Sequence, residues 1–342
     1  MRMIRKIYSL LLLTLLTTTL AKAQNVDFHL NGFGFFDNRE YKEFPERSRT
    51  YSGVRTAIDL GFHIDSNNHF YAGANMLHEF GGNPFFVRVN PTIYYSFNNK
   101  NWLFNIGAFS REGLLTDYPR AMLNDTLRYY RPNVEGMLTR FKNQHVTETI
   151  WIDWVSRQTA TDREQFLFGF SGKYQPWLNG PLYLAHYAFM LHDAGPAVAI
   201  PGDHIRDNGA LQAKLGANFS HKTFLDSLSI EAGAMMSLER VRGLDNFQKP
   251  KGFVANAYLS YWRLAIFDEF YKGDGHHIEY GDAYYRYKTY NRLDFIITPF
   301  VAKGLRGQFI FSLHNTPGFS SNQEAFRLVY DIGRKNLVRF KD

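Results

Sequence analysis

Along most of the chain, hydrophobic and polar side chains alternate with a period of two, in segments of about 10–14 residues. The segment Tyr51–Ile64 shows the pattern clearly. Val54 and Leu60 belong to its apolar face, whereas Arg55 and Asp59 belong to the other face. An α-helix would distribute these charges around its whole circumference, so the pattern predicts a β-strand with one apolar and one polar face.

The same alternation recurs through the chain and predicts about sixteen strands in an all-β fold. The predicted strands begin near Asp27, Tyr51, His69, Phe85, Trp102, Tyr129, His145, Gln165, Leu182, Gly209, Ser227, Gly252, Leu264, Tyr290, Leu305 and Glu324. The division within Ser260–Phe267 is the weakest, because Gly252–Gly273 also fits one long strand with a bulge. A barrel of about fourteen strands therefore stays open as an alternative.

The connections between these segments alternate between short polar turns and longer polar loops, which is typical of bacterial outer-membrane barrels. Because hydrocarbon cannot satisfy backbone polar groups, an all-strand membrane protein must close on itself. We therefore predict a closed antiparallel transmembrane β-barrel with both termini on the periplasmic side. Aromatic residues near the strand ends are expected to form interfacial girdles: Trp102, Tyr129, Tyr130, Trp177, Tyr183, Trp262, Tyr284 and Tyr285. A soluble β-sandwich is the alternative.

The N-terminal residues have the features of an export signal. Arg2, Arg5 and Lys6 precede an apolar run, and Ala21-Lys22-Ala23 resembles a cleavage site. We predict a signal peptide over residues 1–23 and a single barrel domain over 24–342, located in the outer membrane of a Gram-negative-type cell. A membrane anchor is the alternative, although the run is short for a spanning helix.

Composition narrows the function. The leader holds four basic residues and no acidic one, so the remainder carries 35 basic against 32 acidic residues, a net charge of +3. A charge this close to neutral does not suggest a nucleic-acid partner. The chain contains no cysteine, which excludes disulfides, thiolate metal sites and cysteine nucleophiles. No cofactor is predicted.

Eight charged residues are candidates for the lumenal face. Their separations of two or four residues keep both members of each couple on one face of a strand. The couples are Arg55 and Asp59, Asp153 and Arg157, Arg292 and Asp294, and Arg327 and Asp331. They either set a transverse field that selects solutes or satisfy one another in a polar interior. The loop Glu112–Arg128 or the loop Ala194–Asn208 is expected to fold inward and narrow the lumen.

Histidines and acids gather at two places, without a recognised metal-ligand spacing. The first contains His192, Asp193, His204 and Asp207, and the second contains Asp274, His276, His277 and Glu279. We predict solvated loops there and no metal site. A lipid hydrolase would need a serine activated by a histidine. Ser312 and His314 share a predicted lumenal face, whereas the side of His186 is ambiguous, so the catalytic residues stay unassigned.

Several segments resemble those of a barrel family from Bacteroidetes-type bacteria. They are Arg128-Tyr129-Tyr130-Arg131-Pro132-Asn133, Trp151-Ile152-Asp153-Trp154, Gly273-Asp274-Gly275, Tyr284-Tyr285-Arg286 and Tyr290-Asn291-Arg292. The resemblance implies an outer-membrane location and a barrel fold. It carries over no catalytic residue and no activity.

Three functions follow as hypotheses. The first is a porin-like channel for small polar solutes, since a barrel of about sixteen strands can leave an aqueous lumen. The second is an enzyme acting on lipid or lipopolysaccharide, and the third is a non-conducting partner or scaffold for another outer-membrane protein. The expected contacts are with outer-membrane lipid and lipopolysaccharide, the latter through basic loop residues such as Arg47, Arg49 and Arg128. A plugged transporter of about 22 strands exceeds the chain length.

Overall fold

The computed structural model describes residues 25–42 and 47–339. The predicted signal peptide lies outside the described residues and stays a prediction, as do the exact domain boundaries. In the described part, no helix is long and apolar enough to cross a membrane.

The described chain is built almost entirely of antiparallel strands. The first eight are β1 (Asn25–Glu40), β2 (Arg49–His63), β3 (Asn68–Glu79), β4 (Arg88–Asn98), β5 (Trp102–Ser110), β6 (Asn133–Lys142), β7 (Val146–Ser156) and β8 (Gln165–Tyr174). The next nine are β9 (Leu182–Asp193), β10 (Arg206–Asn218), β11 (Ser227–Val241), β12 (Lys251–Tyr261), β13 (Leu264–Gly273), β14 (Thr289–Ala302), β15 (Leu305–Thr316), β16 (Phe319–Asp331) and β17 (Lys335–Arg339). A short helix, α1 (Thr126–Tyr130), and a 3-10 helix (Ala283–Arg286) lie in loops.

From β1 to β16, each strand pairs with the next one in sequence, and β1 closes the sheet by pairing with β2 on one side and β16 on the other. In the closing pair, Gly34 lies opposite Leu328 and Asn38 lies opposite Glu324. The short strand β17 continues the line of β16 along the start of β1. The result is a closed sixteen-stranded barrel. Closure leaves no unpaired sheet edge in hydrocarbon, where such an edge would be costly.

The strand predictions are confirmed at most positions, and the fourteen-strand alternative is wrong. Trp262, whose φ is 54°, and Arg263 form a two-residue turn that separates β12 from β13. Two predicted starts fall too early. Phe85 lies in the β3–β4 loop, and Tyr129 lies in α1, so β4 and β6 begin a few residues later.

The barrel wall, formed by the strands, has one face of exposed side chains and one face of buried side chains, as the alternation predicts. On β7 the side chain of Ile150 is 65% exposed on the outer surface, whereas its neighbours Thr149 and Trp151 point into the barrel and are buried. The outer surface is therefore the lipid-facing one, and the inner surface carries the charges.

The predicted aromatic girdle is only partly correct. Trp102, Trp177 and Trp262 are exposed near strand ends. The four predicted girdle residues Tyr129, Tyr183, Tyr284 and Tyr285 are instead buried inside the barrel. Tyr129, Tyr284 and Tyr285 belong to loops that fold into the lumen, which the strand pattern does not reveal, whereas Tyr183 points inward from β9 and donates to Glu231 at 2.7 Å.

Candidate functional site

The β5–β6 loop, residues 111–132, occupies the lumen and is fastened to several strands. Trp151 on β7 donates from Nε1 to the hydroxyl of Tyr118, 2.8 Å away, and Tyr118 donates to the carbonyl oxygen of Ala188 on β9 at 3.1 Å. On β6, Arg140 donates to the Leu114 carbonyl at 2.6 Å. The prediction that Glu112–Arg128 folds inward is thus confirmed, and we call residues 111–132 the inner loop.

The β13–β14 loop, residues 274–288, joins the inner loop inside the barrel. The backbone N–H of Asn124 donates to the Tyr280 carbonyl, and that of Asp282 donates to the Arg120 carbonyl, both at 2.8 Å. Because the two loops bond to each other as well as to the wall, they form one internal plug.

Apolar side chains of the plug and the inner wall form a continuous buried cluster. It includes Phe109, Leu115, Tyr118, Met122, Leu138, Trp151, Leu167, Phe189, Tyr271, Ile278, Tyr284, Tyr285 and Tyr290. Such a cluster excludes water from much of the lumen cross-section. The filled lumen distinguishes the protein from a water-filled barrel of the same strand number.

Two of the cavities beside this cluster share part of their lining. The larger has a volume of about 440 Å³ and lies between the inner loop and β2, β9–β13 and β16. The smaller, of about 90 Å³, is lined by Arg39, Tyr41 and Tyr51 among others. Both cavities are lined by Asn124 and Asp125, so this pair of residues stands between them.

Charged groups surround Asp125. Its Oδ2 accepts a hydrogen bond from Arg327 on β16 at 2.9 Å and lies 3.5 Å from Nε of Arg120. Burial alone would raise the pKa of this carboxyl, but the two guanidinium groups outweigh it and hold the pKa well below its ordinary value. Asp125 is therefore ionised at neutral pH and pins the inner loop to the wall.

Among the predicted lumenal couples, only Arg292 and Asp294 form an ion pair, with Nε 2.7 Å from Oδ1. Asp294 also lies 3.3 Å from Arg120 of the inner loop. Arg327 binds Asp125 rather than Asp331, which accepts from His29 at the periplasmic end. Two residues four apart on a strand point the same way but lie too far apart to pair.

The other two couples are also split. Arg55 donates to the carbonyl oxygen of Arg128, whereas Asp59 accepts from Thr92 at 3.0 Å. Asp153 pairs with Arg111 of the inner loop. Arg157 is exposed beyond the end of β7, so it is not a lumenal strand residue.

The partners that the sequence does not identify, Arg111, Arg120 and Asp125, all come from the inner loop. No periodicity marks a loop residue as inward-facing, so alternation gave no signal for them.

The histidine candidates do not assemble a hydrolytic triad. Ser312 accepts from Arg292 at 3.1 Å, while His314 binds Tyr290 and Gln323. His186 faces lipid, where Nε2 lies 3.2 Å from Glu148. Among the described residues, no group of three or more His, Asp or Glu side chains is arranged to hold a metal.

A serine–histidine contact exists elsewhere, between Ser237 on β11 and His276 of the plug. Ser237 Oγ lies 2.8 Å from His276 Nδ1 and donates to Glu239 at 2.6 Å. Burial lowers the pKa of His276, which favours the neutral ring. Both side chains are almost fully enclosed, at 0% and 1% exposure, so a substrate cannot reach this serine. The contact supports the plug.

A different polar cluster lies on the outer wall, at the seam between β1 and β16. Glu324 accepts hydrogen bonds from the side-chain amides of Asn38, at 3.1 Å, and Asn322. Asn38 also donates to Glu40 at 3.0 Å and accepts from Thr50 at 2.8 Å. All five side chains occupy lipid-side positions of their strands near the extracellular ends. We call Asn38, Glu40, Thr50, Asn322 and Glu324 the outer-wall cluster.

An apolar groove begins directly below this cluster, toward the membrane centre. It has a volume of about 340 Å³ and is lined by Phe36, Phe295, Ile297, Phe309, Phe311 and Phe326, with Glu324 at its polar end. Along β1 and β16, the wall changes from Phe36 and Phe326 to Asn38 and Glu324 within one pair step. Such a change from apolar to polar side chains is expected where a barrel wall passes from hydrocarbon to headgroups.

Solved structures similar to this one are outer-membrane barrels. A loop L8 deletion mutant of OmpT, an outer membrane protein of Vibrio cholerae, matches with a TM-score of 0.57 and 9% identity over 90% of this chain and 98% of that one. An anion-selective porin from Comamonas acidovorans matches with a TM-score of 0.57 and 11% identity over 90% and 100%. A mutant of the Rh. blastica porin matches with a TM-score of 0.50 and 14% identity over the same shares.

At these identities the likeness concerns the fold, which is that of an outer-membrane β-barrel. A comparison with curated proteins finds no match. A family model described as lipid A 3′-O-deacylase-type matches residues 18–333, nearly the whole chain, and the protein therefore belongs to the lipid A 3′-O-deacylase-type family.

Proposed function

We propose that this protein hydrolyses an acyl ester of lipid A in the outer leaflet, with the outer-wall cluster as its site. The observation that carries the proposal is the position of Glu324, a hydrogen-bonded carboxylate directly above a lipid-facing apolar groove. Lipid A places its ester groups between a polar sugar and apolar chains. The family description supplies the reaction class.

The cluster contains the groups that ester hydrolysis requires. Glu324 is the base that takes a proton from water, and the water oxygen attacks the acyl carbonyl carbon. The side-chain amide of Asn322 gives one of its two hydrogens to Glu324 and offers the other to the negative charge that develops on the carbonyl oxygen, whereas Asn38 donates both of its amide hydrogens to Glu324 and Glu40 and orients the base. The bond from that carbon to the sugar oxygen then breaks, the sugar oxygen takes the proton, and a fatty acid leaves along the groove.

The proposal is tested with the full-length protein in lipid A-containing vesicles, by mass spectrometry of lipid A. The wild type is expected to release a fatty acid, and Glu324→Gln is expected to slow release at least about 100-fold. Glu148→Gln is the matched control, because Glu148 also faces lipid but near the periplasmic end. Intact lipid A with the wild type, or equal rates for wild type and Glu324→Gln, would refute the assignment.

Conduction of small polar solutes is the second candidate. It is favoured by the two cavities lined by Asn124 and Asp125, since they show that the plug does not fill the whole lumen. A barrel that conducts through such cavities has a conductance well below that of an open pore of equal strand number. Planar-bilayer recording tests it, and silence of both wild type and Asp125→Ala would exclude conduction. A scaffold role stays a prediction.

A further inference from the structure

We propose that the large lumenal cavity binds a small zwitterion, such as an amino acid or a short peptide, between Arg55 and Asp117. The cavity of about 440 Å³ is lined by both residues. This site is inside the barrel and is separate from the outer-wall cluster, so it does not depend on the proposed lipid hydrolysis.

Arg55 supplies the cationic end. Arg55 is buried, with only 8% of its surface exposed. It nevertheless has no carboxylate partner among the described residues. Its Nη1 donates only to the Arg128 carbonyl, and the nearby Glu112 is occupied by Arg128 at 2.9 Å. A buried guanidinium without an ionised partner is costly, and a ligand carboxylate offsets that cost.

Asp117 supplies the anionic end. It has no ion-pair partner within the described part of the chain, although Arg140 is an electrostatic neighbour. Tyr187 on β9 lines the same cavity, and Tyr118, next to Asp117 in sequence, bonds to β9, which lies almost across the ring from β2. Arg55 and Asp117 therefore approach the cavity from different sides.

The remaining charges favour a ligand with both signs rather than a simple ion. Lys214 and Glu231 neutralise each other, as do Arg327 and Asp125. Arg111 pairs with Asp153, and Glu112 pairs with Arg128. Arg55 and Asp117, a cation and an anion without ion-pair partners among the described residues, line the same cavity and match a ligand that carries a carboxylate and an ammonium group.

The experiment is calorimetric titration of the detergent-solubilised full-length protein with the dipeptide Ala-Ala, its N-acetyl derivative and its C-terminal amide. Ala-Ala is expected to bind at least tenfold more tightly than either capped form. Asp117→Asn should abolish the preference over the N-acetyl form, and Arg55→Gln the preference over the amide. Glu324→Gln should bind Ala-Ala unchanged.

The proposal is overturned if Ala-Ala produces no binding heat up to about 10 mM, or if a capped form binds as tightly as Ala-Ala. Because Arg55 is buried, Arg55→Lys is measured as well, with folding checked by circular dichroism. Asp117 is exposed to the cavity, so Asp117→Asn tests the anionic end without disturbing the wall. If Glu324→Gln loses lipid hydrolysis and still binds Ala-Ala, the two proposals concern separate sites and can fail independently.

Discussion

Arg327 on β16 and Asp125 in the inner loop are joined by a 2.9 Å hydrogen bond across 202 positions of sequence. The bond connects the barrel wall to the plug, at the place where the two lumenal cavities meet. It is one of several bonds by which wall charges hold the loop, since Asp153, Asp294 and Arg327 all have partners in the plug.

Removal of Asp125 should loosen the plug. Asp125→Asn leaves Arg327 without an ionised partner and Arg120 with Asp294 alone, which is expected to cost about 3–5 kcal/mol in unfolding free energy. Since the pKa of Asp125 is lowered, its contribution is present above the ordinary carboxyl pKa and is lost as pH falls through the lowered value. Urea unfolding in lipid should show a constant difference between wild type and variant from pH 7 to about pH 4, and a smaller one below.

The Tyr118 hydroxyl is expected to matter beyond the packing of its ring. Tyr118→Phe keeps the ring but leaves Nε1 of buried Trp151 without an acceptor, at a cost of about 1–3 kcal/mol. Unfolding followed by tryptophan emission measures this cost. As a control, Tyr174→Phe changes an exposed tyrosine and should leave stability unaltered. Equal stability of wild type and Tyr118→Phe would show that the hydrogen bond contributes nothing net.

The lipid-facing surface can be probed at Ile150. Ile150→Arg introduces a charge into the apolar face of β7 and is expected to destabilise the folded barrel by about 2–4 kcal/mol. The matched variant Phe224→Arg alters a highly exposed side chain in the β10–β11 turn, outside the strands, and should have little effect. Folding into vesicles, monitored by tryptophan fluorescence in urea, measures both. Equal effects would contradict the membrane orientation of the wall.

His276 should make stability depend on pH. Its lowered pKa means that the unfolded chain binds more protons near the ordinary histidine pKa, so the contribution is full above that value and declines as pH falls below it. His276→Gln should flatten the stability profile between about pH 7 and 5. This variant should also retain lipid hydrolysis, because His276 is enclosed. Loss of hydrolysis in a fully folded His276→Gln would instead point to the Ser237–His276 contact as catalytic.

The sequence by itself determined the wall of this barrel. Alternation along segments such as Tyr51–Ile64 predicted which side chains meet lipid, because the strand period of two is a local property. It also placed Arg55, Asp294 and Arg327 on the lumenal face. The alternation did not decide whether the chain turns at Trp262, since β12 and β13 together also fit the pattern of one long strand.

Only the tertiary structure decided what lies inside and what assembles outside. The inner loop has no periodic pattern, so its burial and its partners Arg111, Arg120 and Asp125 depend on contacts with distant strands. The outer-wall cluster likewise exists only because β1 meets β16, which brings Asn38 to Glu324. Closure joins residues hundreds of positions apart, and such pairing leaves no trace in local alternation.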